Sequence, residues 1–156
     1  MNNEKSSLEK TLAALEKLLT LTVGDVMHRN VITLTVDDLL ATAARTMIEN
    51  RVNGIVILKE DKPFAVLSSW DLLHLSYLES FSEKMDYLKT PLGKLIENPV
   101  LYFLSPVNRL VDAARLIAEK HIRTVPIVEN GQLVGVISTY DLVNIYNNAV
   151  LFENLK

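Results

Sequence analysis

The chain contains no cysteine, which removes disulfides, thiolate nucleophiles and thiolate metal sites together and suits a reducing compartment. Histidine is scarce as well. The three residues at 28, 74 and 121 have no second histidine or carboxylate at metal-ligand spacing, which argues against a zinc or iron centre. Glycine and proline number five each, too few for a low-complexity or fibrous chain. No apolar run approaches the roughly eighteen residues that a bilayer-spanning helix needs, and the opening MNNEKSSLEK lacks a basic stretch followed by an apolar one. Positive charge is short too. A net charge of −3 with no basic stripe disfavours general nucleic-acid binding, which depends on releasing counterions from phosphates. There is no P-loop, no nucleophile elbow and no clustered acid–base pair, so enzymatic activity is not expected. These absences predict a cytoplasmic, non-membrane protein in which any anionic partner is caught locally.

What is present is a chain of 156 residues, 49% apolar and 22% charged, long enough to bury a sizeable core without staples. It is also written twice. VLSSWDLL at 66–73 returns seventy residues later as VISTYDLV at 136–143. The same offset brings Leu40 onto Leu110, Ala43-Ala44-Arg45 onto Ala113-Ala114-Arg115, Glu49 onto Glu119, Ile57 onto Ile127 and Asp71-Leu72 onto Asp141-Leu142. One register held over about fifty positions is the mark of an internal duplication.

Each copy reads as β-α-β-β-α, an α+β fold class with sandwich-like α/β layering. NVITL (30–34) and PVLYFL (99–104) suit strands. DDLLATAARTMIENR and VNRLVDAARLIAEKH carry apolar residues at helical spacing, with Asp37 and Asn108 where an N-cap is wanted. VPIVENGQLVGVI is a hairpin around Asn130-Gly131, because both central residues of a type I′ turn need φ > 0. GIVILKEDKPFAVL predicts the same with a looser turn. A second helix then begins at each Ser-x-x-Asp. The boundaries are an N-terminal amphipathic helix over 1–21, repeats at 22–76 and 93–150, a helical connector at 77–92 that stops at Thr90-Pro91, and a tail at 151–156. In the first segment Leu8, Leu12, Leu15 and Leu19 form one stripe, which packs on its own module or on a partner.

Ser-x-x-Asp before an apolar run is in the first instance a capping box, the hydroxyl taking one orphan amide and the acid reaching back to another. The same atoms can do more. A carboxylate at a helix start is kept ionised by the helix dipole and can accept from the two hydroxyls of a ribose.

The elements GDVM…NVITL, HIRTVPIVENGQLVGVISTYDLV and the weaker RVNGIVILKEDKPFAVLSSWDLL resemble a tandem pair of cystathionine-β-synthase (CBS) domains, a Bateman module, from Val23 to about Tyr146. The second copy carries the fuller signature in Arg123, Pro126, Gly135, Ser138 and Asp141. The resemblance implies two repeats related by a pseudo-twofold axis, with two clefts that take adenosine compounds such as AMP, ADP, ATP or S-adenosylmethionine. It implies an energy-sensing type of regulation, a homodimer, and a partner that the module regulates in trans. Carried over by position, Ser138 and Asp141 would hold one ribose, with Ile137 against the base and Val31, Ile32, Val52 and Asn53 as the far wall. The mirror cleft would use Ser68, Asp71 and Leu67 with Tyr102, Ile122, Arg123 and Thr124.

The chain departs from the family pattern in Ala65 for glycine, Val56 for proline and Asn53 opposite Arg123. Trp70 and Tyr140 stand where an arginine often precedes the aspartate. These aromatics are either helix-face residues or base stackers. Their presence shifts the expectation from a triphosphate toward AMP or S-adenosylmethionine. Arg123 either pairs with Glu119 or Glu129 or meets a phosphate, His121 could meet an anion, and His28 and His74 read as surface or helix-end residues. The functional alternative is a ligand-free dimerisation or protein-interaction module in which Ser-x-x-Asp is only a helix cap.

Overall fold

Two-residue hairpins organise both repeats. In the computed structural model, which describes residues 12–13, 16, 18–79 and 85–151, β2 (Gly54–Lys59) turns into β3 (Lys62–Ser68) and β4 (Thr124–Glu129) into β5 (Gln132–Ser138). Asn130 and Gly131 have φ of 51° and 77°, as the type I′ turn requires. The first hairpin is not looser. Glu60 and Asp61, with φ of 52° and 58°, make the same two-residue turn with a glutamate and no glycine where Asn-Gly is preferred. Both hairpins carry a register shift at the same place, between Ile57 and Leu58 and between Ile127 and Val128.

Before each hairpin lies a helix, α2 (Leu40–Asn50) or α5 (Leu110–Lys120), and after it α3 (Ser69–Glu79) or α6 (Thr139–Leu151). α2 and α5 end alike, on Arg51 and His121 in the left-handed conformation. Their N-caps are Leu39 and Arg109, not Asp37 and Asn108. Asp38 and Asn108 act one turn earlier: their side chains accept the amides of Thr35 (2.7 Å) and Ser105 (2.8 Å).

The first repeat has a short strand, β1 (Thr33–Thr35), parallel to β2. In the second repeat the expected strand over 99–104 shrinks to an isolated bridge between Leu104 and Ile127. Proline explains the loss. Val56 pairs with Thr33, and the Val36 amide donates to Leu58. At the matching positions Pro126 and Pro106 have no N–H to give.

Leaders cross between the lobes. α1 (Val23–Val26) opens the first repeat in sequence, yet Val23 and Met27 complete the second core with Leu110, Val125, Ile127 and Ile137. The amides of Val23 and Gly24 donate to the carbonyls of Asn108 (2.7 Å) and Pro106 (2.9 Å). α4 (Leu92–Leu95), where the connector passes into the second repeat, returns the exchange. Leu92 completes the first core with Leu40, Met47, Ile55 and Ile57, and the amides of Leu92 and Gly93 donate to Asp38 and Val36. The connector is helical to Glu79 and forms a 3₁₀ turn over Met85–Lys89, residues 80–84 lying outside the described ones. In the N-terminal stripe, Leu8 and Leu15 lie outside the described residues, Leu12 and Leu19 are exposed, and Leu18 is the residue that packs on the second core. Of the tail, residues 152–156 lie outside the described residues.

Candidate functional site

Where the hairpins face each other two clefts open among the described residues, and Gly54 marks how closely the lobes approach. A Cβ there would lie 2.6 Å from the hydroxyl of Thr124. Arg123 and Thr124 border both clefts.

The first cleft, about 510 Å³, holds Ser68, Asp71, Tyr102, Ile122, Arg123 and Thr124, together with Val66, Trp70, Val100, Leu101 and His121. The second, about 740 Å³, holds Ser138, Asp141, Val31, Ile32, Val52, Asn53, Arg123 and Thr124, together with His28, Arg29, Arg51, Val136 and Tyr140. Both volumes are of the size that accommodates a nucleotide-scale ligand. Trp70 and Tyr140 stand at the two cleft mouths and are 65% and 72% exposed.

Leu67 and Ile137 are not cleft residues. They are 4% and 0% exposed and pack in the two cores. Successive side chains on a strand point to opposite faces, so the faces that present Ser68 and Ser138 present Val66 and Val136, two residues back. The aliphatic cleft walls are therefore Val66 and Val136.

The Ser-x-x-Asp motifs form complete capping boxes. The Ser68 amide (2.7 Å) and hydroxyl (2.6 Å) donate to Asp71 Oδ2, and the Asp71 amide donates to Ser68 Oγ (3.2 Å). In the second copy the Ser138 amide and hydroxyl each donate to Asp141 Oδ2 at 2.7 Å, and the Asp141 amide donates to Ser138 Oγ at 3.4 Å. Each serine hydroxyl has thus spent its proton on its own aspartate. What remains for a ligand is Oδ1.

The two Oδ1 atoms differ. Asp71 Oδ1 has no hydrogen-bond partner among the described residues, whereas Asp141 Oδ1 lies 2.8 Å from His28 Nε2. His28 is brought there by the leader. Its amide and carbonyl bridge Val136 at 2.9 Å each, over Gly135, where a Cβ would lie 2.5 Å from Met27 Sδ. Ala65 occupies the matching place in the first repeat, and no such bridge forms to Val66 among the described residues. His28 is therefore a cleft residue, not simply a surface one. The signal for it was Gly135, whose missing side chain makes room for a crossing strand.

Arg29 and Arg51 also went unnoticed in the sequence. Arg29 Nη2 donates to the Gly24 carbonyl (3.1 Å), which fixes its guanidinium at the cleft edge. Arg51 projects from the left-handed end of α2, as His121 does from α5 toward the other cleft. Arg123 pairs with neither Glu119 nor Glu129 among the described residues; it faces the clefts. His74 is exposed on α3. Among the described residues no cluster of His, Asp and Glu could hold a metal ion, and no helix is long and apolar enough to cross a membrane.

The family model described as "CBS domain" matches the chain twice, at residues 23–77 and 94–148. An uncharacterized protein of Methanocaldococcus jannaschii is 25% identical over 142 residues, which cover 86% of this chain and 46% of that protein. The chain thus spans about half the length of that relative. The crystal structure of CBSX2 in complex with AMP matches with a TM-score of 0.68 and 26% identity, over 81% of this chain and 96% of that one. The CBS domain pair of protein MJ0100, in complex with 5-methylthioadenosine and S-adenosyl-L-methionine, matches in fold with a TM-score of 0.71 and 18% identity, over 83% and 98% of the two chains.

Proposed function

Because the chain belongs to the CBS-domain family and carries the domain twice, we propose that it is a regulatory module that senses an adenosine-containing ligand in the clefts between its repeats. It acts in the cytoplasm on a partner in trans, and the reading assigns it no catalysis. The observation that carries the proposal is the carboxylate at the mouth of each cleft. Asp71 keeps both lone pairs of Oδ1 for ribose hydroxyls and Asp141 keeps one beside His28, while Oδ2 is consumed by the cap. The AMP complex of CBSX2 and the S-adenosylmethionine complex of MJ0100 support the ligand class.

Sensing requires two states that the ligand binds unequally, since equal affinity shifts nothing. A homodimer supplies a second element to shift. α3 exposes Trp70 and Leu73, and α6 exposes Tyr140 and Val143, at matching positions of the two repeats. A second copy related by a twofold axis would meet itself there, burying both stripes. Trp70 and Tyr140 belong to these stripes and to the cleft mouths, so a ligand that moves them alters the face offered to a partner.

The test is a thermal shift across AMP, ADP, ATP, S-adenosylmethionine and adenosine, on the chain and on Asp71→Ala and Asp141→Ala. A ligand at about 100 times its dissociation constant stabilises by about 2.7 kcal/mol, and the shift should vanish in one of the variants. A second reading, a ligand-free interaction module, is favoured by the completeness of the capping boxes and by the exposed Leu12 and Leu19. Under it both variants lose about 1 kcal/mol of capping and no compound moves the midpoint.

A further inference from the structure

The clefts differ in electrostatic character, one net positive and the other balanced, and we propose that they divide the ligands between them. The Asp141 cleft takes a 5′-phosphorylated adenosine compound, and the Asp71 cleft takes one without an anionic tail. The proposal rests on the adenosine-sensor reading and assigns a ligand class to each site.

Among the described residues the Asp141 cleft is bordered by Arg29, Arg51 and Arg123, with Asp141 as its one carboxylate. Among the described residues the Asp71 cleft has Arg123 alone as a permanent cation, together with the carboxylate of Asp71. The difference lies in the residues themselves: at the seventy-residue offset, Arg29 becomes Pro99 and Arg51 becomes His121. Guanidinium groups grip phosphate oxygens bidentately and keep their charge at any physiological pH. Three of them around a cavity make a place for a phosphoryl group despite Tyr140, which stands where an arginine was expected. In the Asp71 cleft a phosphate would share one arginine with a carboxylate and face Trp70, Val100 and Tyr102.

Acceptor capacity points the same way. Asp71 Oδ1 has no partner among the described residues, so both of its lone pairs can take the ribose hydroxyls without displacing anything. Asp141 Oδ1 already holds His28 at 2.8 Å, leaving one lone pair. A nucleoside therefore docks on Asp71 through its diol alone. On Asp141 it must displace His28 or draw on another group, and the arginines supply that need when a phosphate is present.

The experiment is isothermal titration calorimetry with AMP and adenosine as probes, at low and high salt. It uses the full chain and the variants Arg51→Asn, Arg29→Met, Asp71→Asn and Asp141→Asn. Asparagine tolerates the left-handed backbone at position 51, and Arg29→Met gives an independent removal of charge. AMP affinity should fall about tenfold or more in each arginine variant and at high salt, and AMP binding should be lost in Asp141→Asn. Adenosine binding should be lost in Asp71→Asn and indifferent to salt and to both arginine variants. If AMP is indifferent to both arginines, or if one aspartate variant removes both probes, the division is wrong while the sensor reading stands. If neither probe binds the unmodified chain, the sensor reading falls and the division with it.

Discussion

Gly135 and Ala65 hold the same place in the two hairpins, and the methyl that separates them accounts for much of the difference between the lobes. Above Gly135 the leader passes close enough to bridge Val136 and to set His28 on Asp141. At Ala65 no such bridge forms among the described residues, and Asp71 Oδ1 is left open. A duplicated scaffold has thus become two unequal sites through contacts that each lobe borrows from the other's leader. The lesson is that repeats diverge most cheaply at their borrowed edges, because the shared core packs the same way in both.

The largest effect that sharpens this comparison should come from the strand that carries the bridge. Ile137 is fully buried whereas Val136 faces the cleft. Ile137→Ala should cost about 2–5 kcal/mol of stability in urea denaturation, and Val136→Ala should cost less while changing ligand affinity. Equal costs would mean that both residues belong to the core.

Next comes the crossing itself. Gly135→Ala puts a methyl into Met27 Sδ and the His28 carbonyl. It should cost about 1–3 kcal/mol as an overpacking change, and should loosen His28 from Asp141, visible as a change in the His28 ring resonances. The converse, Ala65→Gly, should cost about 0.5–1 kcal/mol through backbone entropy and about 0.8 kcal/mol more through loss of the buried Ala65 methyl. If Gly135→Ala is neutral, the leader does not need that space.

The turns offer a smaller contrast in the opposite direction. Glu60 and Asp61 adopt the conformation that Asn130-Gly131 adopts with suitable residues. The pair Glu60→Asn with Asp61→Gly should raise stability by roughly 0.4–1 kcal/mol, and a thermal melt would detect it.

The smallest effect is a difference in acid response. Hydrogen bonds from the Thr22 hydroxyl (2.7 Å) and amide (2.9 Å) hold the Asp25 carboxyl below its ordinary 3.8. A carboxylate lowered on folding contributes stability that is complete above about pH 4 and is lost as pH falls through its lowered value. The matching residue in α4 is Lys94, which has no such transition. Acid unfolding of Asp25→Asn should therefore be flatter below about pH 4 than that of the native chain, and a parallel curve would remove this cause.

Much of this was legible in the sequence for physical reasons. The duplication, the amphipathic first helix of each repeat and the Asn130-Gly131 turn are written in local spacing and local backbone preference. The missing strand before the second hairpin was legible in principle, since Pro106 and Pro126 lack the donors it needs. The cleft-facing valines were legible too, because alternation from Ser68 and Ser138 reaches Val66 and Val136 rather than Leu67 and Ile137. The exchange of leaders was not. Val23, Met27 and Leu92 look like ordinary apolar residues, and nothing local says that each serves the other lobe. Arg29 and Arg51 enter the cleft only through that exchange and through the pairing of the lobes, so no motif within one repeat reveals them, and for His28 the local sign is Gly135 in the other repeat.

The measurement that tests the central claim most directly is equilibrium dialysis of AMP and adenosine against the native chain and the double variant Asp71→Asn with Asp141→Asn. The account predicts saturable binding to the native chain and none to a double variant that remains folded. Undiminished binding to the double variant, or no binding to the native chain, would contradict it.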